Sequence, residues 1–274
     1  MEKKRVLLLS DLHYCQEEYG GIPRDEKAKR IVDFIRSEHE KAPLSAILFL
    51  GDYSLDHWAW NTKGTWLTEG KSYTKQFVET YLQDLPAPYF MLPGNHEQYG
   101  ENLWQEITGF SRSGEMVVGD YLFILWDSFG ANLDPAEHSD GTYTPMDAEK
   151  IRRTMDQYPG KRVILCSHYF LPTLDSAECA LIRDERVVCL CMGHTHFSAV
   201  NIMSEDYGCK YVLQTGSWAT TGPSGRFPWG AREIWLEDDC VSSAYLVPGQ
   251  TLALREMPFH VKEHCRDSVR ICFK

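Results

Sequence analysis

The sequence predicts an α/β fold in which two β-sheets pack together with helices outside, and three observations carry that prediction. Strand-like and helix-like stretches alternate through the first half of the chain, whereas the pattern from Val187 onward is rich in strands. Five short polar motifs each follow an apolar run directly: Asp11-Leu12-His13, Gly51-Asp52, Gly94-Asn95-His96-Glu97, Ser167-His168 and Gly193-His194-Thr195-His196. A chain of 274 residues allows one or two domains. Because the motifs span Asp11 to His196, a boundary between them would dismantle the set. We therefore expect one main domain over residues 1–247, with a weakly patterned extension at 248–274 packed on it.

The elements follow in order. The apolar runs at 5–10, 46–50, 89–92, 163–166 and 187–192 read as buried strands, each ending at a polar motif. Residues 25–40 place Ala28, Ile31, Val32 and Ile35 on one helical face. Residues 75–85 repeat that spacing with Phe77, Val78, Tyr81, Leu82 and Leu85, and Pro86 stops the helix. Two extended runs within 114–128 flank Gly119-Asp120, a turn-forming pair, which predicts a β-hairpin. Residues 145–158 read as a helix with Pro145 near its first turn. Further strands are expected at 210–214, 231–236 and 241–247.

In an open α/β sheet, ligands bind outside the carboxyl ends of the strands. Five strand ends that offer Asp, His and Asn therefore predict one polar cluster with the composition of a two-metal site. Asp52 can bridge two cations through its two oxygens, and Asn95 can donate a neutral carbonyl. The imidazoles suit Zn, Fe, Mn or Ni rather than Mg or Ca. Two divalent ions set against Asp11, Asp52 and a hydroxide leave such a site net positive, which attracts phosphate.

That local charge matters because the chain as a whole is acidic, with a net charge of −11. The acidic balance argues against nucleic acid as a partner, since that affinity rests on Lys and Arg contacts to phosphate. A small phosphorylated substrate fits instead. No apolar stretch approaches the ~20 residues of a membrane span, and the chain enters its first strand by residue 5 without a signal-peptide core. The expectation is a cytoplasmic protein with no membrane partner. The nine cysteines lack the spacing of a disulfide framework, and several, among them Cys166, Cys189, Cys191, Cys209 and Cys240, lie in or beside strand-like runs. They read as small buried thiols in a reducing compartment.

In order and wording, the five motifs resemble the calcineurin-like metallophosphoesterase superfamily, whose pattern is DxH, GD, GNH(E/D), H and GHxH. The resemblance spans about residues 5–218. It implies a four-layer αββα sandwich with two mixed β-sheets, and two divalent or transition-metal ions as cofactors. Asp11, His13 and His196 would hold the first metal, Asp52 would bridge, and Asn95, His168 and His194 would complete the second. His96 would face the scissile phosphate as a catalytic group rather than a ligand. Asp56 is a candidate to orient it, and Glu97 a candidate to hold the Asn95–His96 turn. The implied reaction is in-line attack on phosphorus by a hydroxide held between ions roughly 3.5–4 Å apart. Alternatives within the fold are a nuclease-type member and a non-catalytic interaction scaffold.

Departures narrow the resemblance. GDYSLDHW and the Gln98-Tyr99 that follows Glu97 lack the arginines of protein Ser/Thr phosphatases. Leu55 stands where purple acid phosphatases place an iron-binding Tyr, with Tyr53 out of register. The stretch ILWDSFG looks like a segment of bacterial cyclic-nucleotide-phosphodiesterase-like members, with an insertion at 131–140, and favours a phosphodiesterase over a phosphomonoesterase. Two aromatic-rich segments flank the expected site: 53–66, with Trp58, Trp60 and Trp66, and 218–235, with Trp218 at its start. Trp58 and Trp218 are the candidates for substrate contact, with His57 and His138 weaker ones.

Overall fold

The computed structural model describes residues 3–15, 22–57, 72–131, 133, 141–218, 229–248, 250–251 and 268–273. The apolar runs form the strands expected of them. In the first sheet, β1 (Lys4–Leu9), β2 (Ala46–Leu50) and β3 (Tyr89–Leu92) run parallel. β10 (Ala231–Leu236) and β11 (Cys240–Val247) extend it antiparallel beyond β1, and β12 (Gln250–Thr251) and β13 (Ser268–Cys272) both pair with β11. The second sheet has the order β4-β5-β6-β7-β9-β8. Its β5 (Tyr121–Leu125), β6 (Arg162–Ser167), β7 (Val187–Met192) and β9 (Tyr211–Thr215) are parallel. The edges β4 (Gly114–Val118) and β8 (Ser198–Ile202) are antiparallel.

Period-two alternation along these strands makes three cores and so four layers. Val6, Leu8, Leu48 and Leu50 of the first sheet meet Phe123, Leu125, Ile164, Cys166 and Leu213 of the second. Leu7, Leu9, Ile47 and Phe49 point the other way, onto α1 (Arg24–Lys41), α2 (Tyr73–Tyr81) and α3 (Glu101–Thr108), which contribute Ile31, Ile35, Phe77 and Trp104. Leu122, Val163, Leu165 and Leu190 pack on Ile151 and Met155 of α4 (Ala148–Gln157) and on Leu181 and Ile182 of α5 (Ser176–Arg183). The result is the αββα sandwich with two mixed sheets.

The differences from the sequence reading lie at element ends. α2 starts at Tyr73, because the Ser72 hydroxyl accepts the Lys75 N–H as an N-cap, and it stops at Tyr81, four residues before the expected end. α4 begins after Asp147, whose carboxylate caps Lys150 N–H, so Pro145 lies outside it. The short helices α3 and α5 and the edge strand β8 are additions to the sequence reading. In the tail, β13 lies antiparallel on β11 with Cys272 opposite Cys240, and a disulfide joins them. The expectation of buried thiols fails at this pair, because strand register and not sequence spacing brings two cysteines 32 positions apart together. Cys209 also departs from it, being exposed, whereas Cys166, Cys179, Cys189 and Cys191 are buried thiols. Among the described residues, no helix is long and apolar enough to cross a membrane.

Candidate metal centre

The five motifs meet at one place, where the carboxyl ends of β1, β2 and β3 face those of β6 and β7. The backbone there bends sharply. Asp11, His13, Asp52, His194 and His196 all have left-handed φ, between 47° and 66°. Each costs about 1–2 kcal/mol in a residue other than glycine, so five at one edge mark a place where folding yields to side-chain placement. Main-chain bonds lock the turns together: Asp11 N–H donates to Gly51 O at 3.0 Å, and His13 N–H to Asp52 O at 3.0 Å. Two glycines are required by space. A Cβ on Gly51 would come within 2.6 Å of His168 Nδ1, and one on Gly94 would collide with the Asp52 carboxylate.

The side chains converge as three overlapping groups: Asp11-His13-His196, Asp52-His168-His194, and His13-Asp52-His96, which links the other two. In the first, Asp11, His13 and His196 face one another, with His196 Nε2 3.3 Å from Asp11 Oδ1. In the second, Asp52 joins His168 and His194, and Asn95 Oδ1 lies 3.0 Å from both imidazoles. Asp52 Oδ2 is 3.5 Å from His13 Nε2 and 3.2 Å from His168 Nε2. His168 Nε2 also lies 3.3 Å from His194 Nδ1. A donor set of buried and half-buried oxygens and nitrogens crowded within hydrogen-bonding distance suits divalent cations, and all seven expected ligands are in it. His96 Nε2 sits 3.7 Å from Asp52 Oδ2 and 3.4 Å from Asn95 Nδ2, at the rim of the same cluster.

The electrostatics ask for positive charge. Burial pushes the Asp52 carboxyl up, but His168, His96 and His13 outweigh it and hold the group well below the usual carboxylate range. Asp11 is likewise lowered, against its burial, by His196 and His168. Despite its burial, His168 is raised to about 9 by the Asp52 and Asp11 carboxylates. Burial lowers His13 and His194 to about 4, so both stand as neutral imidazoles at neutral pH. His168 Nδ1 lies 2.6 Å from Leu50 O, which orients the ring and leaves Nε2 to the cluster.

A surrounding layer holds these groups. Glu97 accepts N–H bonds from Asp52 at 2.8 Å, Gly94 at 2.9 Å and Ser54 at 3.1 Å, tying two turns together. Its burial and the Asp52 charge raise it to about 8 against the pull of the Gly94 and Ser54 N–H groups. Sequence reasoning missed several members of this layer. Lys27 of α1 is buried and donates to His13 O at 3.0 Å. Arg112 donates to the carbonyls of Glu97 at 2.8 Å and Tyr99 at 2.7 Å, and its Nε bonds Asp127 at 2.7 Å. Ser10 donates to the Asp11 carboxylate. Only Ser10, next to Asp11, carried a sequence signal, because the others arrive from distant elements.

Other expected residues lie elsewhere. Asp56 turns away from the role of orienting His96. Its carboxylate takes the N–H groups of Tyr73 and Thr74 at 3.0 Å and the hydroxyls of Ser72 and Tyr99, holding the start of α2. A helix N-terminus offers a carboxylate several unsatisfied donors, which outbid one imidazole. Trp218 does not present its ring to substrate. It is 1 % exposed and packs on Phe34 of α1 at 5.2 Å, while its backbone N–H holds Asp11 O at 3.1 Å. Tyr53 is buried, with its hydroxyl on Phe49 O and Leu92 O, and His57 is buried edge-on to Tyr99. Trp58, Trp60, Trp66 and His138 lie outside the described residues. From ILWDSFG, Ser128 Oγ accepts the Tyr169 N–H at 3.1 Å, and the Phe129 ring lies 5.9 Å from both His168 and His194.

Two mixed sheets presenting an Asp, His and Asn cluster at their common carboxyl edge form a candidate metal centre. The chain belongs to the calcineurin-like phosphoesterase family, whose model matches residues 4–198. It is 27% identical over 209 residues to a protein of Pseudoalteromonas sp. (strain SM9913) described as a probable cyclic nucleotide phosphodiesterase, covering 70% of this chain and 71% of that one. Among solved structures it resembles a dimetal phosphatase from Danio rerio, with 12% identity, 99% of both chains covered and a TM-score of 0.69. It also resembles the purple acid phosphatase PPD1 of yellow lupin (Lupinus luteus), with 11% identity and a TM-score of 0.64, over 100% of this chain and 54% of that one. At such identities the structural likeness speaks for the fold.

Proposed function

We propose that this protein is a two-metal phosphodiesterase acting on a small phosphodiester. The observation that carries the reading is the convergence of ligand-type side chains from five strand ends of two sheets: six of the expected seven fall in overlapping groups that meet at His13 and Asp52, and Asn95 Oδ1 lies 3.0 Å from His168 and His194. The relative described as a probable cyclic nucleotide phosphodiesterase and the ILWDSFG segment support a diester over a monoester. Asp11, His13 and His196 would hold one ion, Asn95, His168 and His194 the other, and Asp52 both. When bound, two divalent cations (Mn, Fe, Zn or Ni) would neutralise phosphate charge and supply a hydroxide nucleophile near neutral pH.

The protein's own part is positioning and proton transfer. Asp52 and Asn95 fix the spacing of the two groups, which decides whether phosphorus sits in line with the nucleophile. His96 lies at the rim, where its imidazole can donate a proton to the departing oxygen. The net charge of −11 disfavours nucleic acid; the buried thiols fit a cytoplasmic location and the Cys240–Cys272 disulfide stands against it, which cell fractionation decides.

Metal analysis is expected to find about two ions per chain. With Mn²⁺ present, bis(p-nitrophenyl) phosphate is expected to turn over faster than p-nitrophenyl phosphate. Turnover of the monoester alone would reverse the diester assignment. Protein that neither binds metal nor gains activity with Mn²⁺ would remove the function.

A further inference from the structure

We propose that Tyr169, Tyr143, Leu171 and Leu174 form a binding wall for a flat aromatic substituent of the substrate. The inference rests on the phosphoester reading of the metal centre and names what one ester group of that substrate carries. The wall starts at a proposed ligand. The Tyr169 ring lies 4.5 Å from the His194 imidazole, and Tyr143 stands edge-on to Tyr169 at 5.8 Å. Both tyrosines are only half-buried. Rings in edge-to-face contact leave faces and edges open to a third ring.

The wall continues into a loop that is fixed and apolar at once. The Tyr143 hydroxyl donates to Leu171 O at 3.2 Å and accepts Leu171 N–H at 3.0 Å. Thr173 N–H donates to buried Glu178 at 3.0 Å, and Leu174 N–H to the Tyr207 hydroxyl at 2.8 Å. This loop leaves directly from His168, and residues 169–174 carry no charge. Yet Leu171 is 48 % exposed and Leu174 63 % exposed.

Leu174 is unfavourable twice over for folding. It holds a left-handed φ of 60°, which glycine or asparagine would adopt with less strain, and it leaves an apolar side chain in water. Three anchoring points keep it so. Strain that its surroundings maintain, in a loop that leaves from a proposed ligand, fits a site prepared for a ligand. An apolar surface near a centre proposed to bind phosphate through two cations fits a molecule with an anionic end and a flat apolar end.

The test uses Mn²⁺-loaded protein and two phosphonates of the same charge, phenylphosphonate and methylphosphonate, with binding measured by calorimetry. Wild type is expected to bind the phenyl compound about fivefold to tenfold more tightly, as burial of one ring face gives. The double variant Leu171→Ser/Leu174→Gly is expected to lose that preference, with methylphosphonate affinity, metal content and Tm maintained. No phenyl preference in wild type, or a preference unchanged in the variant, overturns the wall. A stronger preference for n-hexylphosphonate overturns its aromatic character. Because the readout is binding, failure of the diesterase reading shows separately, as phenyl preference in protein that does not cleave bis(p-nitrophenyl) phosphate.

Discussion

The amino and carboxyl edges of the parallel strands handle charge in opposite ways. At the amino edge of the second sheet, Lys161 bonds Asp120, Arg186 bonds Asp184 and Asp156, and Lys210 caps the carbonyls of Asp184 and Val187. Opposite charges meet there, partly in water, where each pair contributes about 0–1 kcal/mol. At the carboxyl edge, Asp11, Asp52, His13 and His168 are buried, and Asp52 crowds His13 and His168, and Asp11 crowds His196, at 3.2–3.5 Å. Five strained residues hold them there. One edge is arranged for stability. The other gives stability up, which is what a site made for ions and substrate requires.

The largest test of that contrast is Asp52→Asn. It removes the charge shared by both groups, so activity is expected to fall by more than about 10³-fold, roughly 4 kcal/mol, with loss of bound metal. Retained metal and near-normal turnover would erase the distinction between the edges. His96→Ala is expected to lower kcat about 10²–10⁴-fold while metal content stays the same. If the metal leaves instead, His96 is a ligand. Glu97→Gln weakens the anchor of three backbone N–H groups and is expected to reduce metal affinity about 10–100-fold, read by chelator competition.

The edges also differ in their response to pH. In metal-free protein, burial depresses His13 and His194 from 6.5 to about 4, so the stability tied to their neutral forms is present above 6.5 and falls as pH drops toward 4. His168 is raised to about 9, so its contribution is full below 6.5 and is lost as pH rises through 9. Metal-free Tm is therefore expected to decline on both sides of neutrality, and metal loading is expected to flatten the alkaline limb. A flat profile in metal-free protein would show that the carboxyl edge stores no such strain. The smallest effect belongs to the amino edge: Lys161→Ala is expected to leave activity unchanged and to shift stability by less than about 1 kcal/mol.

Much of the centre was legible because the signal was local. A buried strand must be apolar, so Asp11, Asp52, Asn95, His168, His194 and His196 stand out where each run ends. What was not legible depended on partners far along the chain. Asp56 sits four residues past Asp52, but the N-terminus of α2 claims its carboxylate. Trp218 looked like a lid residue until Phe34 of α1 was seen to cover its ring. Lys27 and Arg112 carry no motif, and only packing takes them to His13 O and Glu97 O. Cys272 finds Cys240 through a strand the tail pattern hardly announced.

By itself, the sequence determined the strand runs, the two-sheet class and the identity of the ligand-type side chains. Those properties follow from hydrophobic periodicity and from residue chemistry, both written within a few positions. Tertiary structure decided the rest: which carboxylate serves a helix, which tryptophan is core, which cysteines pair. These are competitions between distant groups for one side chain. The winner depends on distances in space, and those exist only once the two sheets have met.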